Sequence, residues 1–125
     1  MSRTRSLVSA LSILVVASGC VQKAYDRVVV YRVSVSGVHD VQSVGLRGEG
    51  NPLSWSKDLP LTPVPDSAGL YQAIVTHHTG SIATEVKFTV NGQFEFENAD
   101  NRVVRIPPTT VGNDTTVYRG VFNVR

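Results

Sequence analysis

Glu95 and Glu97 stand two residues apart in Phe94-Glu95-Phe96-Glu97, so on an extended strand both carboxylates share a face. A carboxylate pair can perform glycosidic acid/base chemistry when its members lie about 5–5.5 Å or 6.5–9.5 Å apart across a bound sugar. That chemistry needs a cleft, and a small chain of this kind is not expected to build a deep one. His77-His78 invites a metal reading, but neighbours on a strand point to opposite faces and cannot readily chelate one ion. His39 lies in a different turn, and no ligand spacing of zinc type is present. There is no G-x-S-x-G nucleophile motif and no phosphate loop. The expectation is a non-catalytic protein with no metal and no cofactor.

The one thiol, Cys20, has a context of its own. Arg3 and Arg5 precede an apolar run from Leu7 to Ala17, broken only by Ser9 and Ser12, and Ser18-Gly19-Cys20 follows. This is the charged region, apolar region and small-residue cleavage site of a secretory signal. At about 11 residues, or roughly 16 Å as a helix, the run is too short to span a bilayer. Ala17-Ser18-Gly19-Cys20 resembles a bacterial lipobox, with Ala17 where leucine is usual. The resemblance implies that Cys20 is diacylated, that residues 1–19 are removed, and that the mature protein hangs from the membrane by its first residue. Val21, not an aspartate, follows the cysteine. By resemblance to enteric lipoproteins, this permits sorting to the outer membrane, the expected location. The plain alternative is an ordinary secretory signal that happens to end in a cysteine.

Of 12 basic residues against 10 acidic, Arg3 and Arg5 belong to that leader, which leaves 10 of each in residues 20–125. The basic balance of the whole chain thus leaves with the signal. A neutral chain lacks the net positive surface that phosphate neutralisation requires, so nucleic acid is not an expected partner. A polybasic membrane patch is absent as well. With one cysteine no internal disulfide can form, and the fold must rest on packing. The expected organisation is a leader (1–19), a lipidated cysteine with a short tether (20–25) and one domain (26–125).

Any site must be held by strands. Val29, Tyr31, Val33 and Val35 alternate with Val30, Arg32 and Ser34, a period of two. Val41–Arg47 predicts a second strand, with Val44 and Leu46 on one face. Pro52, Pro60, Pro63 and Pro65 make residues 51–69 a long ordered loop, the kind of loop that often carries function. Tyr71, Ala73 and Val75 mark one face of a strand over Leu70–His77. Val86, Phe88 and Val90 then oppose Glu85, Lys87 and Thr89. Asn91-Gly92 predicts a hairpin turn, with Phe94–Glu97 as its return strand. Val103–Ile106 and Thr115–Val124 complete about seven strands. The pattern predicts an all-β, antiparallel, immunoglobulin-like β-sandwich.

Val44-Gly45-Leu46-Arg47-Gly48, Asn51-Pro52-Leu53-Ser54-Trp55, Glu85-Val86-Lys87-Phe88, Phe94-Glu95-Phe96-Glu97 and Asn101-Arg102 occur in that order. Together they resemble the starch-binding module of carbohydrate-binding family 20, over about residues 28–125. The resemblance implies a module that binds an α-glucan, a poly- or oligosaccharide, by stacking sugar rings on two tryptophans. Trp55 matches the first of them. Lys87, Glu97 and Asn101 match the family's lysine, acidic and amide groups. Phe96 stands where the second tryptophan belongs and offers a smaller flat face.

The residues themselves leave each role open. Trp55 lies in a polar loop yet could anchor a core, and Phe96 could be core or platform. Lys87 and Glu97 could be a cross-strand pair on a solvated face. Asn101-Arg102, beside Asp100, could be only a turn. Two functions are therefore carried forward. One is a membrane-anchored carbohydrate-binding lipoprotein. The other is a structural or assembly lipoprotein that binds a protein partner with the same sandwich.

Overall fold

The computed structural model describes residues 23–107 and 115–125, and the leader and Cys20 lie outside them. Among the described residues, nine strands run in chain order: β1 (Tyr25–Ser34), β2 (Val44–Gly48), β3 (Leu59–Pro60), β4 (Thr62–Pro63), β5 (Leu70–Thr79), β6 (Ala83–Val90), β7 (Gln93–Phe94), β8 (Arg102–Arg105) and β9 (Thr115–Val121). They form two sheets, one ordered β4-β5-β1-β9 and the other β3-β2-β6-β7, with β8 also paired to β6. The all-β sandwich expected from the alternation is the observed architecture.

The inward faces follow the period of two. Val29, Tyr31, Val33 and Val75 from one sheet meet Val44, Leu46, Val86, Phe88 and Val104 from the other. These side chains are almost wholly buried, and their removal from water is the main favourable term holding the sheets together. Leu53 and Leu61 are buried too, so the proline-rich loop is fastened to the core at two points. Within it the structure finds two short strands, β3 and β4, one added to the edge of each sheet.

Two details depart from the sequence reading. β1 and β9 pair in parallel, with Val28 beside Thr115 and Ser34 beside Val121, so the first sheet is mixed. The return strand expected over Phe94–Glu97 stops at Phe94. Phe96 and Asn98 both have positive φ, 51° and 57°, which turns the backbone out of the ladder. β7 and β8 consequently pair with successive stretches of the same edge of β6, and residues 95–101 form an excursion between them.

Candidate functional site

The broken ladder is repaired by a side chain. Glu95 donates its backbone N–H to the Phe88 carbonyl (3.0 Å), and the Phe88 N–H is bound by Glu95 Oε2 (2.8 Å). The same carboxylate, fully buried, receives two bonds from Arg102, Nε to Oε2 and Nη2 to Oε1, both 2.7 Å. Arg102 Nη2 also donates to the carbonyls of Val121 (2.9 Å) and Val124 (3.1 Å), and Nη1 to the Tyr118 hydroxyl (3.3 Å). Burial pulls the Arg102 pKa down, but the bonds to Glu95 and Tyr118 more than restore it, so its net shift is upward. This one ion pair ties β8 and the 95–101 excursion to β9 of the opposite sheet. Gly120 makes room for it: a Cβ there would come within 3.1 Å of Arg102 Nη1.

Glu95 and Glu97 therefore do not share a face. Glu95, opposite Phe88, turns inward with the register of the hairpin, and the positive φ at Phe96 leaves Glu97 exposed. The expectation of two carboxylates side by side is corrected, and with Glu95 committed to Arg102 the pair offers no acid/base geometry.

Phe96 is also differently placed from the flanking platform that was expected. Its half-buried ring is clamped between two guanidinium groups, Arg102 and Arg125, each 4.7 Å from the ring centroid. Its N–H donates to Asn123 Oδ1 (2.8 Å). The aromatic beside Trp55 is Phe94, with ring centroids 6.4 Å apart and planes at 53°. Phe94 is 40% exposed, and Trp55 is half-buried and outside the core cluster.

Sheet register explains this pair. Phe94 lies opposite Thr89 across the hairpin, and Arg47 opposite Lys87 between β2 and β6, so all four belong to one outward face. The loop after β2 folds back over that face. Arg47 Nε bonds Asp58 Oδ1 (2.5 Å), and Arg47 Nη1 donates to the Trp55 carbonyl (3.3 Å). Ser54 and Ser56 close the turn that presents Trp55, with the Ser56 N–H bound by Ser54 Oγ (3.1 Å). Gly45 permits the close approach, because a Cβ there would lie 2.5 Å from Thr89 Oγ1 and 2.7 Å from Asp58 Cγ. The Phe94 ring is then flanked by two cations, Arg47 at 4.9 Å and Lys87 at 5.7 Å.

Lys87 Nζ donates to the carbonyls of Phe96 (3.3 Å) and Ala99 (2.9 Å), so it steadies the excursion and does not bridge to Glu97 as a cross-strand pair would. Two open hollows adjoin Phe94. One, of about 600 Å³, is lined by Lys87, Gly92, Gln93, Phe94, Glu97 and Asn98. The other, of about 360 Å³, shares Gln93, Phe94 and Glu97 and reaches His39 and Asn123. Of the expected set, Trp55, Lys87 and Glu97 thus gather around Phe94. Phe96 faces its two arginines. Asn101 lies at the foot of the excursion just before β8, and Asn98 supplies the amide in the first hollow.

His77 and His78 point to opposite faces, as neighbours on a strand do. His78 Nδ1 lies 2.7 Å from Asp26 Oδ1 on the surface. His77 is buried, with Nε2 2.8 Å from the Tyr31 hydroxyl, and burial lowers its pKa.

The fold has a solved counterpart. The structure is similar to part of a glycoside hydrolase family 15 glucoamylase from Hypocrea jecorina, with a TM-score of 0.59 and 19% sequence identity. The match covers 79% of this chain and 17% of the glucoamylase, so the chain spans only a small part of that protein's length. At that identity the likeness is one of fold. No protein-family profile matches the sequence, and no curated protein matches it.

Proposed function

We propose that the protein is a lipid-anchored, non-catalytic carbohydrate-binding module with an α-glucan as its ligand. The observation that carries this reading is the Trp55–Phe94 pair standing open beside Lys87 and Glu97. Aromatic faces suit the C–H faces of pyranose rings, and the ammonium and carboxylate suit their hydroxyls. The motif order that resembles a starch-binding module and the fold shared with part of a glucoamylase support the same ligand class. Phe94 takes the role of second aromatic in this reading, and the adjoining hollows give a chain of several sugars room on both sides of it. So shallow a surface buries little area, and the affinity is expected to be weak. The lipobox-like run supports residues 1–19 as leader, Cys20 as lipid carrier in the outer membrane, and residues 26–125 as the binding domain.

Trp55 is the sole tryptophan, so intrinsic fluorescence reads the site directly. Titration with maltoheptaose or β-cyclodextrin should shift or quench its emission. Emission indifferent to every glucan would sink the reading. The rival, docking of a protein partner, is favoured by one observation. Ile74 and Val117 are 68% and 47% exposed and flank Val30 in register on the outer face of the first sheet. A glucan-silent protein in which Ile74→Lys abolishes co-purification of an envelope protein would support that rival.

A further inference from the structure

The two ends of the sandwich differ in what they expose. β1 begins at Tyr25, opposite Thr79, and ends at Ser34, opposite Leu70. The end at which it begins also carries the β5–β6 turn and the end of β8, since Ala83 pairs with Arg105 and the Ile106 N–H bonds the Ile82 carbonyl. Ile82 is 53% exposed at that turn. Tyr25 is 37% exposed, with Lys23 5.2 Å and Arg27 5.7 Å from its ring. The other end carries the Asn91-Gly92 hairpin and both hollows beside Phe94. Ten residues of β1 separate the ends, roughly 30 Å at about 3.3 Å per residue.

We propose that the Tyr25–Ile82 end is a membrane-docking face that lies against phospholipid headgroups, so that the domain stands with its ligand-binding hollows turned away from the bilayer. This rests on the reading of Cys20 as the lipid carrier. From Cys20 to Tyr25 the chain spans at most roughly 17 Å, at about 3.3–3.6 Å per residue, so this end is held at the surface. A tethered face meets the bilayer at high effective concentration, and weak contacts then suffice to orient it. The side chains fit that place. A tyrosine suits the headgroup level, and Lys23 and Arg105 can lay their stems along apolar matter with their charges in the polar layer. Asp26, the acid nearest Tyr25 in the chain, is engaged by His78.

The test uses the full-length chain, purified from bacterial membranes and reconstituted in phosphatidylethanolamine–phosphatidylglycerol vesicles. Ile82→Cys, Ser81→Cys and Gln93→Cys are made separately and labelled with an environment-sensitive fluorophore, Cys20 being blocked by its lipid. The labels at 81 and 82 should be blue-shifted and quenched by doxyl-labelled lipid, and the label at 93 should behave as in water. Wet labels at both 81 and 82, or a lipid-quenched label at 93, overturn the orientation. Mass spectrometry of the mature N-terminus separates the two failures. A Cys20 without diacylglycerol brings down the anchoring reading and this one with it. A diacylated Cys20 with a wet turn brings down the docking face alone.

Discussion

Phe94 and Phe96 are the same residue type, two positions apart in one short segment, and they lie in opposite surroundings. Phe94 is the last residue of β7, pairs with Thr89, and presents its ring beside Trp55. Phe96 follows the inward-turned Glu95, takes φ 51°, and is closed between Arg102 and Arg125. The cause is the residue between them. A carboxylate as deeply buried as that of Glu95 needs a cation, and Arg102 supplies it where the strand ends. Once the ladder is broken, the first ring keeps the strand's outward face and the second becomes packing for the arginine that broke it. Two phenylalanines at strand spacing thus divide into one available to a ligand and one held by the fold.

The comparison breaks most completely at its hinge. Glu95→Ala leaves the Arg102 guanidinium buried without its carboxylate and the Phe88 N–H without an acceptor. The expected loss of stability is about 3–5 kcal/mol, read as a lower midpoint in urea unfolding. Arg102→Ala should cost a similar amount and free the β9 end, where two carbonyls lose their donor. An unchanged midpoint in both variants would show that the pair holds nothing together.

Gly45→Val tests how the other region is built. Its side chain would have to occupy the space of Thr89 Oγ1 and Asp58 Cγ, so the loop bearing Trp55 must lift. Overpacking of this kind costs about 1–3 kcal/mol. Unlike the Glu95 variant, it should also move Trp55 emission to the red, because the loop is displaced into water.

Alanine at each phenylalanine sharpens the division. Phe96→Ala removes a ring stacked by two guanidiniums and should lower stability by about 1–2 kcal/mol while glucan binding persists. Phe94→Ala should lower stability by about 0.5–1 kcal/mol and weaken glucan binding at least tenfold, about 1.4 kcal/mol. Trp55→Ala should match it in binding, measured by calorimetry since the fluorophore is gone. If Phe96→Ala is instead the variant that loses binding, the roles assigned to the two rings are reversed.

Much of this division is legible in the sequence. The alternation Val29, Tyr31, Val33 and the opposed sets Val86, Phe88, Val90 and Glu85, Lys87, Thr89 placed the core and the outward face, because a period of two is a local property. A two-residue Asn91-Gly92 turn also pairs Thr89 with Phe94 and Phe88 with Glu95, which is enough to put Phe94 outward beside Lys87 and Glu95 inward. A strand continued to Glu97 hides that placement. The positive φ of Phe96 was not legible, since nothing in phenylalanine favours it. It is imposed by the Glu95–Arg102 pair and by Asn123, contacts made across the fold. The short strands β3 and β4 were hidden by their prolines, which are tolerated here because each strand lies at a sheet edge.

The smallest effect separates the two buried polar pairs by charge. Glu95–Arg102 is buried ionised and matched. Tyr31–His77 is buried neutral, with burial lowering the His77 pKa and raising that of Tyr31. Arg27 pairs in register with His77, so a proton on the imidazole would set a second cation beside a buried guanidinium. The sign of the pH dependence follows. Above the unfolded histidine value of about 6.5 both states hold His77 neutral, and it contributes no slope. Below it the unfolded chain takes up a proton that the native state resists, so stability falls with pH until the lowered native value is reached, and then levels. Urea midpoints should therefore drop between pH 7.5 and 5.5 in the parent chain. His77→Gln, which keeps an acceptor for the Tyr31 hydroxyl but cannot titrate, should flatten that interval. An equal slope in both proteins would remove His77 from the account.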